Sequence, residues 1–461
     1  MRIIDIFRFN GPGTGVEQSA LVGKTIRECV SSTENSSTNC WNANFTSLTT
    51  NTNNKYNTNV VRAVAALDES VKEGWIEAFH DCCRKKYTSH NCNAYRATDY
   101  ESDLWVLLYD VYNRTYQPGK SICFCVKRPK VREIFAASFR DRIVQHWISL
   151  RLIPLFEQRH IRLGDRSYNC RVGYGTSYAV GSLVRDIELV SENYTKDAWV
   201  AKIDVRSFFM SIDVGILWKL LKPFILENYK GDDIDTLLYL SEVTLWHRPQ
   251  DNCERKGNLS LWDILPPHKS LFGNREGIGM AIGNTTSQIW ANFYMSYSLE
   301  EIMPWVESVG GRIGEFVDDF SFVAPRKEDC LEFRAKACAI LKKLLNLTLN
   351  NDKFYIQHVS RGVSFVGQSI KPGRRHVSRK TMGDLVNSLR RLETECRMAA
   401  DSGDMERVRQ AVSSVNSYFG FTAETNDHRM KMRHVARECR DTFRLCELKK
   451  GRYFKIKNIT K

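Results

Sequence analysis

The stretch GRIGEFVDDFSFVAP, residues 311–325, constrains this chain more than any other. Two short runs rich in β-branched and aromatic residues flank a pair of adjacent acids, Asp318 and Asp319. Such runs favour strands, and strand, two-residue turn, strand is the simplest arrangement. Asp is common in surface turns, so a bare Asp-Asp pair would mean little. Here Phe316, Val317, Phe320 and Phe322 should bury the hairpin and leave the acids in a cleft. Neighbouring carboxylates repel, and a divalent cation would cancel that repulsion. A hard cation needs a further oxygen ligand. Asp204, at the end of the apolar run AWVAKID, is the best candidate. Acids converging from two chain segments suit a two-metal site for phosphoryl transfer.

The rest of the composition fits such a site. With 461 residues the chain can build two to four packed units. Its 43% hydrophobic and 26% charged content is that of an ordinary soluble protein. No apolar run reaches the roughly 18 residues needed to cross a bilayer, so no membrane role is expected. The opening MRIIDIFRFNGPG does not read as a signal peptide, and a cytoplasmic location is expected. Fourteen cysteines occur without a CxxC pair and are expected to be reduced and mostly buried. Net charge is +14, and the segment from Lys371 to Lys461 holds 22 Lys and Arg against 11 Asp and Glu. A basic face of that size favours phosphate backbones.

Residues 31–60, rich in Ser, Thr and Asn, read as a loop or loosely ordered insertion. Helical patterns cover VVRAVAALDESVKEGWIEAFHDCCRKK and ESDLWVLLYDVYNRTY. The segment SICFCVKRPKVREIFAASFRDRIVQHWISLRLIPLFEQ is expected to open as a strand, pass Pro129 and become one long helix. Phe333, Ala337, Ile340 and Leu344 step at helical spacing, as do Leu385, Leu389, Leu392 and Cys396. Pro372 and Gly373 mark a boundary near residues 369–380, after which helices dominate.

Several blocks, in order, resemble the reverse transcriptases, in particular bacterial ones related to group II intron, retron, diversity-generating and defence-associated enzymes. KRPKVREIFAASFRDRIVQH is similar to the fingers block, and DRSYNCRVGYGTSYAV to the Gly-rich block after it. KIDVRSFFMSID and GIGMAIGNTTSQIWANFYM resemble the first and second palm motifs. FVDDF resembles the (Y/F)xDD box, LNNDKF the lysine motif and VSFVGQSI the primer-grip hairpin. SSVNSYFGFTAETNDHRMK resembles the thumb of these bacterial enzymes. The likeness spans roughly residues 70–445 and implies an α+β right-hand polymerase. Its expected parts are an N-terminal extension (1–65), fingers (66–195), palm (196–368) and a basic helical thumb with tail (369–461).

The resemblance also implies roles. Asp204 and Asp318 would bind two Mg²⁺ ions, with Asp319 assisting and Val205 in the metal set; Mn²⁺ is a possible substitute. Phe209 falls at the steric gate, where an aromatic ring fills the space a ribose 2′-hydroxyl would need; otherwise it is a core ring beside Phe208. Arg132 and Arg140 match fingers positions that hold the triphosphate. Arg142, two residues later, is a further candidate for the triphosphate, or instead pairs with Asp141 on the helix surface. Lys127 and Lys130 are template contacts or solvated. Gly283 lets backbone pass close to the nascent base pair, with Ser287 and Gln288 nearby. Ile282 stands where retroviral enzymes carry glutamine and where diversity-generating enzymes carry an aliphatic residue, which puts high fidelity in doubt. Lys353 fits a proposed general acid for pyrophosphate, or a surface lysine closing a turn. Arg171, with Gly173 and Gly175, suits a loop against template phosphates, or a plain turn. Arg374, Arg375, Arg379 and Lys380 would track a duplex backbone.

The implied activity is RNA-directed DNA synthesis from dNTPs, with a template or noncoding RNA and nascent cDNA as partners. A homo-oligomer or a small accessory protein is possible. Two other functions stay open: a template-independent polymerase, and a catalytically idle RNA-binding scaffold. No RNase H, endonuclease or maturase domain is expected. The setting is bacterial, either anti-phage defence with a dedicated noncoding RNA or a diversity-generating retroelement.

Overall fold

The computed structural model describes residues 58–84, 90–97, 100–127 and 130–457. Pro129 and the Ser/Thr/Asn-rich stretch up to residue 57 lie outside them. In chain order, helices α1 (Thr58–Ala65), α2 (Glu69–Cys83), α3 (His90–Ala97) and α4 (Tyr100–Tyr112) come first. Strands β1 (Ser121–Val126) and β2 (Arg132–Ala136) lead to α5 (Phe139–Arg162) and α6 (Thr176–Val190). After β3 (Trp199–Asp204) come α7 (Phe208–Ser211), α8 (Val214–Asn228), α9 (Ile234–Trp246), β4 (Cys253–Arg255) and α10 (Thr285–Ser308). β5 (Arg312–Phe316) and β6 (Asp319–Ala324) precede α11 (Lys327–Leu345). Four short strands follow, β7 (Tyr355–His358), β8 (Val363–Phe365), β9 (Gln368–Lys371) and β10 (Arg374–Val377). The chain closes with α12 (Arg379–Ser402), α13 (Met405–Phe421), α14 (His428–Glu438), α15 (Thr442–Leu445), β11 (Cys446–Lys449) and β12 (Tyr453–Ile456).

The described residues form two compact units, one of residues 58–161 and 207–294, the other of 162–206 and 295–457. In the first, β2-β1-β4 make a small mixed sheet, β1 antiparallel to β2 and parallel to β4. Large rings fill its core: Trp75 stacks on Trp147 at 5.1 Å and Phe156 on Phe293 at 4.6 Å. The expectation of one helix following Pro129 is corrected here. Residues 132–136 form β2 first, because Ile134 and Phe135 are buried by pairing with β1. The helix starts only at Phe139, where the Ser138 hydroxyl accepts from the Asp141 N–H at 3.1 Å.

In the second unit, β5-β6-β3-β7 form an antiparallel sheet. Every residue of β6 after Asp319 is buried, because the sheet is covered on both faces. Phe322 stacks on Phe333 of α11 at 4.5 Å. Val323 and Val200 pack instead with Ala179, Val180 and Leu183 of α6. The buried stripe of α11 is Cys330, Phe333, Ala337, Leu341 and Leu345; Ile340 and Leu344 lie beside it, half-buried. Leu385, Leu389, Leu392 and Cys396 of α12 are buried against α13 and the β11–β12 hairpin, in a region where helices dominate as expected. Of twelve described cysteines nine are buried and all are free, as expected of reduced thiols. Among the described residues no helix is long and apolar enough to cross a membrane.

Candidate active site

The antiparallel register of β3 and β6 sets Asp204 directly opposite Asp319. β5 pairs with β6 up to Phe316↔Asp319, which leaves Val317 and Asp318 as a two-residue turn. Asp319 is therefore the first strand residue rather than part of the turn. A tight hairpin of this length needs positive φ at its first central residue, normally glycine. Val317 takes it, at φ +62°, a conformation that costs a β-branched residue about 1–3 kcal/mol. Its surroundings hold it there: the Val205 N–H donates to the Asp318 carbonyl at 3.0 Å, tying the turn to β3. Three acids from two segments thus meet at one end of one sheet, with Val205 buried beneath them.

Asp204 is buried at 6% exposure, and its carboxylate is fully engaged. The Lys353 ammonium pairs with Oδ2, and Asn350 Nδ2 donates to Oδ1 at 3.3 Å. The Asn350 N–H also donates to the Asp204 carbonyl at 2.8 Å. Asp319 is pushed up to about 7 by burial and then by the charges of Asp318 and Asp204, with Lys353 and Lys202 opposing. Asp319 keeps contact with solvent, so the two carboxylates are the part of this push that a cation would remove. The donor set is hard oxygen with excess negative charge and fits a divalent cation such as Mg²⁺. Among the described residues, no three acidic, thiol or imidazole groups yet form a ready-made cage.

Behind the hairpin lies a group that sequence reasoning missed. Residues 166–168 run beside β5: the Glu315 N–H donates to the Arg166 carbonyl at 2.7 Å, and the Tyr168 N–H to the Glu315 carbonyl at 3.0 Å. The Glu315 side chain has no exposure, and neither carboxylate oxygen has a partner among the described residues. Dehydration raises its pKa well above the usual range, against the attraction of Arg171 and helped by Asp318. Arg171 is buried within its loop. Its side chain is 2% exposed, donates to the Ser167 carbonyl and Asp165, and lies 4.0 Å over the Tyr174 ring. It braces its own loop from within, whereas Gly173 of that loop is exposed. Asn350 was also passed over; its place three residues before Lys353 was the available signal.

The nucleotide candidates belong to the other unit. Phe209 is half-buried, edge-on to Phe208 at 5.4 Å, and packs with Ile282, Phe135, Met210 and Ala281. Gly283 adopts φ +127°, and a side chain there would collide with the Phe135 carbonyl and meet Ile134 Cγ2 at 3.0 Å. The Phe135 N–H donates to the Ile282 carbonyl at 2.8 Å. The close approach that requires this glycine is therefore to β2. Gln288 is half-buried in the first turn of α10, and Ser287 is buried. Arg132 is exposed on β2. Arg140 is taken up by Asp110 and lies 5.6 Å over the Tyr116 ring. The expected Arg142–Asp141 pair does not form: Arg142 donates to the Ala137 carbonyl, while Asp141 accepts from Tyr116, Gly119 and Ser138. Back in the unit of the acids, Arg374, Arg379 and Lys380 are exposed, and Arg375 is half-buried and paired with Glu424.

Residues 125–370 match the family "Reverse transcriptase (RNA-dependent DNA polymerase)". The chain belongs to the reverse transcriptase family. Its α+β fold is that of the right-hand polymerases, as the sequence motifs implied. This reverse transcriptase is 23% identical to Protein YkfC of Escherichia coli K12 over 283 residues, 58% of this chain and 71% of that protein. Solved structures similar to it include apo telomerase of Candida tropicalis, at 13% identity and a TM-score of 0.42. Telomerase of Candida albicans with a fragment of telomeric RNA is another, at 12% and 0.41. They cover 71% and 70% of this chain, which spans 62% and 55% of theirs.

Proposed function

We propose that the chain extends a 3′-hydroxyl with dNTPs on an RNA template. The carrying observation is the register that sets Asp204 opposite Asp319, with Asp318 in the adjoining turn. Asp204, Asp318 and the Val205 carbonyl would hold two Mg²⁺ ions, with Asp319 assisting. Held by these residues, such ions would lower the pKa of the attacking hydroxyl and offset the charge of the leaving pyrophosphate. The protein's part is to hold the carboxylates without reorganisation, which the strand pairing and the Val205–Asp318 hydrogen bond supply. Phe209 stands as the gate against a 2′-hydroxyl, Arg132 as a triphosphate contact, and the exposed thumb cations as backbone contacts. The fingers, palm and thumb limits given above are part of the proposal.

The context proposed is a dedicated noncoding RNA in bacterial anti-phage defence, in the cytoplasm. A diversity-generating retroelement is the second reading, favoured by Ile282: it packs in an apolar cluster with Phe209, which leaves no polar side chain at that position. Labelled-dNTP incorporation with and without added RNA, set beside Asp318→Ala, tests the activity. RNA-dependent incorporation that drops by at least about a thousandfold in the variant is expected. Incorporation without RNA would mean a template-independent polymerase, and none under any condition would leave an RNA-binding scaffold.

A further inference from the structure

Lys353 and Asp204 present a contrast in exposure. The lysine side chain is 46% exposed and its partner carboxylate 9%. The ammonium can return to water on its flexible four-carbon stem, but the carboxylate is fixed at a strand end. Asn350 grips Asp204 twice, its backbone N–H donating to the Asp204 carbonyl and its Nδ2 to the carboxylate. Asn350 is held in turn, since its Oδ1 accepts from the Asp352 N–H at 3.2 Å, capping the single turn 351–353 that carries Lys353. Clamp and lysine are thus parts of one small element. Three acids are sequence or register neighbours and yet form no ready cage; one of them already has a cation on it.

We infer that Lys353 is the resting counter-cation of Asp204, and that metal loading is an exchange in which the ammonium leaves as the divalent ion arrives, Asn350 holding the carboxylate throughout. This rests on the proposed metal site and deepens it. The exchange explains how three acids coexist before the ion binds: the ammonium offsets the charge of Asp204, so that the repulsion felt at 319 is reduced though not removed. It makes Lys353 a brake on metal affinity, separate from any part it plays toward pyrophosphate.

Mn²⁺ binding to the full chain, without nucleotide or nucleic acid, tests this through the electron paramagnetic resonance signal of the free ion. Lys353→Met keeps the stem and removes the charge; it should bind Mn²⁺ roughly three- to tenfold more tightly than the parent. Lys353→Arg keeps the charge and should stay near the parent affinity. Asp204→Asn should lose most of the binding. Equal or weaker binding by Lys353→Met, with Asp204→Asn defective, overturns the exchange while leaving the metal site intact. Parent-like binding by Asp204→Asn overturns the metal site itself, and the exchange with it. Lys353→Gln, with thermal melts on every variant, guards against misfolding of the Met form.

Discussion

Single side chains decide most of what is testable in this protein. Glu315 is the plainest case, a carboxyl sealed behind the 317–318 turn with no hydrogen-bond partner among the described residues. Burying a charge there would be costly, so the folded protein keeps the proton. Its folded pKa is raised above the ordinary 4.5 of the unfolded chain. Stability from this group is complete below pH 4.5 and is lost progressively as pH rises toward the folded value. Glu315→Gln cannot ionise. In thermal melts with EDTA it should match the parent near pH 5 and exceed it increasingly towards pH 8; a constant difference across that range would refute a neutral Glu315. Phe209 makes a second test. Half-buried in its apolar cluster, its ring should exclude ribose. Phe209→Ala should raise rNTP over dNTP use by roughly 10- to 100-fold in primer extension. Unchanged sugar preference would mark the ring as core alone.

At the scale of elements, positions are set by pairing. The loop before α10 lies so close to β2 that only glycine fits at 283. Gly283→Ala combines a collision with the Phe135 carbonyl and a φ of +127°, and should cost about 2–4 kcal/mol in urea unfolding. A cost under about 1 kcal/mol would show that the loop can move away from β2. The β5–β6 hairpin carries its own strain in Val317, held by the hydrogen bond from the Val205 N–H to the Asp318 carbonyl. Local backbone cost of this kind is sustained where packing over-determines the turn.

Across the whole molecule, charge is divided unevenly. Much of the net +14 lies beyond Lys371, where Arg374, Arg379 and Lys380 reach solvent while Arg375 is paired with Glu424. Replacing the three exposed cations with Ala should weaken binding to an RNA–DNA duplex about equally for every sequence. The slope of log affinity against log salt should shrink by about 2–3. A sequence-dependent loss in fluorescence anisotropy, or an unchanged slope, would argue that these cations do not touch the backbone.

The hairpin that carries Asp318 and Asp319, the strand that ends at Asp204 and the family motifs could be read along the chain, because strand-turn-strand patterning around 318–319 and a strand ending at 204 are local signals. So could the α12 stripe, which depends on helical period alone. Tertiary packing decided the rest. β2 is a strand because β1 pairs with it, Arg171 is a brace because its loop folds over it, and Arg140 meets a carboxylate 30 residues earlier in the chain. Glu315 and Asn350 drew no notice in the sequence, since a residue type does not reveal whether water or protein will surround it. Periodicity reports which side of an element is apolar; the partner each polar group finds is fixed when distant segments close on one another.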